Sequence, residues 1–252
     1  MRTRLTVALA LLAPLAPLTP LALAPSAARA QLIDVSAERR PAARTFFGAD
    51  LLVAQPQDEF ASYVKVGAGF GFHLVQQLDR EGVLGLRVAG DFLIYGNETE
   101  TVPISPTIPR VTVDVQTSNN IVTLGIGPQV MMPVGGFRPY LAGTVGFSYF
   151  FTESSVRGSD NSVEFASSKN YDDITFAWTG AAGVYIPVRR GRQPISIDIG
   201  ARYHGNGRAR YLREGSIQDN GAGGVYITPI ESNTNLITYQ LGVTVGVSSS
   251  RR

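Results

Sequence analysis

Residues 63–74 read YVKVGAGFGFHL, with an apolar side chain at every second position and Tyr63, Lys65, Gly67, Gly69, Gly71 and His73 between them. A period of two belongs to a β-strand whose two faces meet different surroundings. The alternation alone does not say which face meets water, so the rest of the chain has to decide it.

The same period recurs in eight segments: 45–54, 63–75, 83–96, 119–132, 137–151, 173–187, 195–205 and 235–247. No sustained helical period lies between them, which predicts an all-β chain. The connections at 76–82, 133–136 and 188–194 are short and turn-like, whereas on the other side 55–62 is brief and 97–118, 152–172 and 206–234 are long. Tight turns on one side and long loops on the other are the arrangement of an outer-membrane barrel. The fold class expected is an eight-stranded, antiparallel, up-and-down transmembrane β-barrel. Within the long loops, 110–115 reads as a strand continued past the membrane, and Asp219-Asn220-Gly221 reads as the turn of a further hairpin.

One face of these strands carries Val64, Val66, Phe70, Leu86, Val88, Leu141, Val145, Trp178, Ile199 and Leu241, with no charge among them. The other face is dense in glycine and holds Asp50, Lys65, Arg87, Asp91, Asp198 and Arg202, three acids and three bases. A soluble lipocalin-like barrel would turn its polar face to water, where about a quarter to a third of residues carry charge and glycine is scarce. A glycine-rich, sparsely charged face fits the inside of a narrow barrel, where balanced charges satisfy one another. On this reading Lys65 points into the lumen and Val64 into lipid. Tyr63, Tyr95, Tyr149, Phe150, Phe176, Trp178, Tyr203 and Tyr211 are read as an aromatic belt at the long-loop end. Phe46, Phe47, Phe72, Phe137, Tyr140 and Tyr185 are read as a second belt at the turn end.

Residues 1–30 combine a basic start, an apolar stretch and Ala28-Arg29-Ala30, the pattern of a cleaved signal peptide. Pro14, Pro17 and Pro20 argue against a spanning helix there. Arg2, Arg4 and Arg29 leave with it, so 19 of the 22 basic residues remain against 20 acidic ones, a net charge of −1. That balance gives no ground for nucleic-acid binding. The chain has no cysteine, so neither disulfides nor thiolate metal sites enter. The expected organisation is a signal peptide at 1–30, a periplasmic tail at 31–43, the barrel at 44–247 and a polar tail at 248–252.

The signal peptide, the eight strands, the loop asymmetry and the closing TYQLGVTVGV at 238–247 resemble the small eight-stranded outer-membrane proteins of the OmpX and OmpA membrane-domain type. The resemblance implies a monomer in the bacterial outer membrane with periplasmic termini. Its partners would be outer-membrane lipids, lipopolysaccharide and the barrel-insertion machinery. Gln240, Gly242, Val245 and Val247 match the spacing of that family's last-strand insertion signal, although valine stands where the family has an aromatic and SSSRR follows.

For the chemistry, GAGFGF lacks the following helix of a nucleotide loop, and no cofactor is expected. His73 and His204 fall near opposite strand ends, which predicts no shared metal site. RYHGNG at 202–207 is similar to lipid-A deacylases, but Asn206 stands where their nucleophilic serine would be, so no catalytic residue is assigned. Arg208, Arg210 and Arg213 are candidates for lipid-phosphate contacts. The expected function is a non-enzymatic barrel with a closed polar lumen, acting structurally or through extended extracellular loops. A small low-conductance pore and a lipid-A-modifying enzyme are the alternatives.

Overall fold

A computed structural model describes residues 44–105, 108–132, 136–158, 164–191, 193–219 and 224–247. The expected signal peptide, both expected tails and the Asn220-Gly221 turn lie outside the described residues. In chain order the strands are β1 (Thr45–Pro56), β2 (Gly67–Gln77), β3 (Leu84–Ser105), β4 (Ile108–Met131), β5 (Arg138–Gly158), β6 (Glu164–Arg189) and β7 (Ile195–Asn206). Then come β8 (Arg208–Tyr211), β9 (Ile217–Asp219), β10 (Val225–Ile227), β11 (Ile230–Asn233) and β12 (Leu236–Val247). One helical turn, α1 (Asp58–Ala61), lies between β1 and β2.

Strands β1 to β7 and β12 form a closed antiparallel barrel in which chain neighbours pair and β1 also pairs with β12. Closure leaves no open edge in this sheet, which is what a strand-built membrane span requires. The crossing strands β1 and β12 are each 12 residues long, close to the roughly 9–11 that a tilted strand needs. By contrast β3 to β6 run 22, 24, 21 and 26 residues, so the β3–β4 and β5–β6 hairpins continue beyond the barrel as two ribbons. Pairing of β8 with β11 and of β9 with β10 builds a third projection at the same end.

The outer wall is apolar. Leu51 is 71% exposed, Leu141 64% and Phe176 63%, and every barrel strand contributes such residues. So wide an exposed apolar surface is unstable in water, and it suits a hydrocarbon surround. Inside, register explains the glycines. Asp91 on β3 pairs with Gly71 on β2, and Gly71 with Asp50 on β1. Asp50 pairs with Gly242 on β12, and Gly242 with Asp198 on β7. Three carboxylates thus share one row with a glycine between each pair. A Cβ on Gly71 would lie 2.5 Å from Asp91 Oδ1, and one on Gly242 would lie 2.1 Å from Asp50 Oδ1. The glycines clear the room in which the carboxylates find partners.

The loop end departs from the strand pattern. The second alternating segment was expected to be a strand from residue 63, but β2 begins at Gly67. Before it, α1 bends the chain inward, and the period of two no longer sets side-chain direction. Val64 is 4% exposed and packs inside with Phe60, while Lys65 is on the outside. Lys65 is accordingly not a lumen residue and Val64 not a lipid-facing one. A single helical turn is too short to write a helical period into the sequence.

At the opposite end, the turn between β2 and β3 is closed by Asp79. Its carboxylate accepts the backbone N–H groups of Val83 and Leu84, both at 2.9 Å. Slight burial pushes its pKa up, but those N–H donors outweigh it and hold the carboxyl below the ordinary aspartate value. A lowered folded-state pKa stabilises above the unfolded value, and the contribution disappears as pH falls through the lowered one. Asp79→Ala should therefore melt at a slightly lower temperature than the parent at neutral pH. The gap should narrow as a melting series is taken down through and below the ordinary aspartate pKa.

Candidate functional site

The densest polar cluster fills the barrel at and around the carboxylate row. Asp50, Arg87, Asp91, Asp198 and Arg202 are each 4% exposed or less. Arg202 reaches across from β7 and donates through Nη1 to Asp91, through Nη2 to Asp50 and through Nε to Gln240. Asp198 accepts from Tyr140 Oη at 3.0 Å and from Gln240 Nε2 at 2.7 Å. Arg87, on the turn side, donates to Gln129 Oε1 at 2.9 Å and to Tyr185 Oη at 3.3 Å. Tyr140 stacks on Tyr185 with centroids 4.6 Å apart, and the Arg87 guanidinium lies over Tyr140 at 5.6 Å. Buried ions hold only when their hydrogen-bonding capacity is met in this way.

Both histidines are inside. His73, 2% exposed, lies over Gly48, where a Cβ would be 2.1 Å from the ring. Its Nδ1 faces Asp50 Oδ2 at 3.1 Å and its Nε2 faces Thr244 Oγ1 at 3.2 Å. His204 lies nearer the loop end, between Thr179 at 3.3 Å and Thr238 at 3.0 Å. The residue two positions after it, Asn206, accepts a hydrogen bond from Ser148 at 3.0 Å.

Above this network the lumen becomes apolar. Leu52, Leu93, Tyr95, Ile121, Phe150, Tyr211 and Leu236 form a core around Phe60, itself 1% exposed. Phe60 meets Tyr211, Tyr95 and Phe150 edge-on at 5.1, 5.7 and 6.3 Å. The α1 segment is fastened to the opposite rim. Gln57 N donates to Asn235 O at 2.9 Å, Asn235 Nδ2 to Asp58 Oδ2 at 3.0 Å, and Asn233 N to Glu59 Oε2 at 2.9 Å. Asp58 has φ of 51°, a conformation uncommon outside glycine, and the three tethers hold it there.

Five aromatics expected in the belts therefore point inward: Tyr95, Phe150 and Tyr211 in the loop-end core, Tyr140 and Tyr185 in the ionic network. Tyr140, Tyr185, Tyr95 and Phe150 each neighbour an outward residue (Leu141, Ile186, Ile94, Tyr149), so strand parity alone marks them as interior. Outside, Phe70 stacks on Phe92, Phe92 approaches Phe151 and Phe151 stacks on Tyr149, while Trp178 lies against Tyr203.

The three arginines beyond β7 are not alike. Arg208 and Arg210 both pair with Glu231, at 3.3 and 3.1 Å. Arg213 instead lies over the Tyr63 ring at 5.6 Å. Among the loop acids, Asp172 pairs with Lys169 at 3.2 Å and Asp173 accepts from Arg210 N at 2.7 Å. These carboxylates already have partners within the chain.

No protein-family model and no curated protein matches this sequence. Among solved structures, the fold is similar to Neisserial surface protein A, at 14% identity over 80% of this chain and 96% of that one, with a TM-score of 0.41. It is also similar to Ail, the attachment invasion locus protein of Yersinia pestis, at 11% identity over 81% and 97%, with a TM-score of 0.40. A third similar structure is the outer membrane protein OprG of Pseudomonas aeruginosa, at 14% identity over 81% and 95%, with a TM-score of 0.42.

Proposed function

We propose that this chain is a monomeric bacterial outer-membrane barrel, closed to bulk solutes, that works as a non-enzymatic scaffold for its projecting ribbons. The observation that carries the closed lumen is the double seal. An apolar core built on Phe60 lies at the loop end, and the Arg202–Asp50–Asp91 layer lies below it. An eight-stranded barrel leaves room for side chains but little for a channel. The working surface is then the β3–β4 and β5–β6 ribbons and the β8–β11 projection, which stand outside the cell when the termini are periplasmic. Where that surface meets the lipid headgroups, Arg213 is the candidate for lipopolysaccharide phosphate. Arg208 and Arg210 share Glu231 and would first have to leave it.

A non-catalytic role is supported by burial. Two hydroxyl–imidazole pairs could be compared with a nucleophile and base, Thr238–His204 and Thr244–His73; all four residues are 4% exposed or less, and no substrate bond can reach them in the closed barrel. The test is single-channel recording of the refolded protein in a planar bilayer, beside Arg87→Ala. Both are expected to stay silent, with insertion checked by resistance of the barrel to protease. Discrete current steps that widen in the variant would overturn the scaffold reading in favour of the small pore.

A further inference from the structure

We propose that His73 Nε2 and Asp198 Oδ2, with the hydroxyls of Thr244 and Tyr185, form a binding site for a divalent first-row metal ion of the zinc type. Asp50, His73 and Asp198 are all buried and their donor atoms lie within 4.8 Å of one another. The hydrogen bonds assign the roles. Arg87 Nη1 donates to Tyr185 Oη, which leaves the phenolic hydrogen directed at His73 Nε2, 3.5 Å away. Nε2 is then an acceptor, and Nδ1–H is donated to Asp50 Oδ2. A ring-nitrogen lone pair and a carboxylate oxygen thus face each other across 3.9 Å, and the groups around them are all neutral: the Tyr185 and Thr244 hydroxyls beside His73 Nε2, and the Gln240 amide, which donates to Asp198 Oδ2 at 2.7 Å.

Two acceptors confronting each other in a buried site repel, unless a cation lies between them. Metal–nitrogen and metal–oxygen bonds of about 2.0–2.2 Å each can span such a gap. Asp50 occupies the place of the carboxylate that fixes a ligating imidazole from its far nitrogen. The surrounding charge permits it as well. Asp50, Asp91 and Asp198 outnumber Arg87 and Arg202 inside the barrel, and Arg202 is already committed to Asp50 and Asp91. Imidazole with carboxylate and hydroxyl oxygens suits zinc, cobalt or nickel better than calcium or magnesium.

The test is refolding of the barrel in detergent with Co2+ present, so that the ion enters before the barrel closes, read as visible d–d absorption after free metal is removed, and repeated with Zn2+ in competition. The parent should bind one Co2+ per chain. His73→Gln and Asp198→Asn should abolish the spectrum, and Asp50→Asn should weaken binding about 10- to 100-fold. His204→Gln removes the other buried imidazole and should leave binding unchanged. Loss of fold is separated from loss of the site by comparing heated and unheated electrophoretic mobility for each variant. A folded parent that takes up no Co2+, or a folded His73→Gln variant that binds as the parent does, overturns the proposal.

Discussion

Arg202→Ala should lower the stability of the folded barrel by about 3–5 kcal/mol, the usual cost of removing one partner from a buried ionic cluster. Arg202 is the only group that bridges Asp50 and Asp91 among the described residues, and it also holds Gln240. Without it Asp91 keeps only His204, at 3.9 Å. Asp50 keeps His73 alone, since its Oδ1 has no hydrogen-bond partner even in the parent. Water cannot take over, because both carboxylates are deep in the barrel. The single tryptophan, Trp178, is 47% exposed on the lipid-facing wall, so its emission reports when the barrel leaves the lipid. Urea unfolding in lipid vesicles, followed by that emission, gives the difference directly. A triple variant, Arg202→Met with Asp50→Asn and Asp91→Asn, should recover most of the loss, because it removes the charges together instead of orphaning two of them. A loss below about 1 kcal/mol for Arg202→Ala, the scale of a solvent-exposed pair, would mean that water reaches this layer.

The acid–glycine row explains how far the sequence could be read. Period-two patterning fixed the faces of the barrel strands, because a strand embedded in lipid has to show hydrocarbon on one side along its whole crossing length. Asp50, Arg87, Asp91, Asp198 and Arg202 were visible as lumen candidates for that reason. Which acid meets which base was not visible. That depends on register between strands up to 152 residues apart in the chain, as for Asp50 and Arg202, and register is written in pairings that no single segment contains. Lys65 was misread because the alternation runs through it unbroken while the backbone does not. The turn Asp58–Ala61 is set by tethers to Asn233 and Asn235, more than 170 residues away. His73 was read in isolation because Asp50 reaches it through the register of β1 on β2, and Asp198 only once β1 and β12 close the barrel.

Phe60→Ala should undock the 57–66 segment from the barrel mouth without unfolding the barrel. The side chain is 1% exposed and makes three edge-on aromatic contacts, so its truncation costs about 3–5 kcal/mol where it is docked. The global fold does not have to bear that cost. What remains to hold α1 is Val64 and the tethers to Asn233 and Asn235, and a segment with so few contacts opens locally first. Release also relieves the positive φ of Asp58. The chain contains no cysteine, so Val64→Cys places one reporter at a position 4% exposed in the parent. With Phe60 present, that thiol should react slowly with a membrane-impermeant maleimide, and Phe60→Ala should raise the rate at least tenfold. Ionic current should remain absent in both, because the Arg202–Asp50–Asp91 layer lies below the apolar core and does not depend on Phe60. Fast labelling with Phe60 in place would mean that the mouth is open at rest. Current appearing with Phe60→Ala would mean that the apolar core, and not the ionic layer, is what closes the barrel.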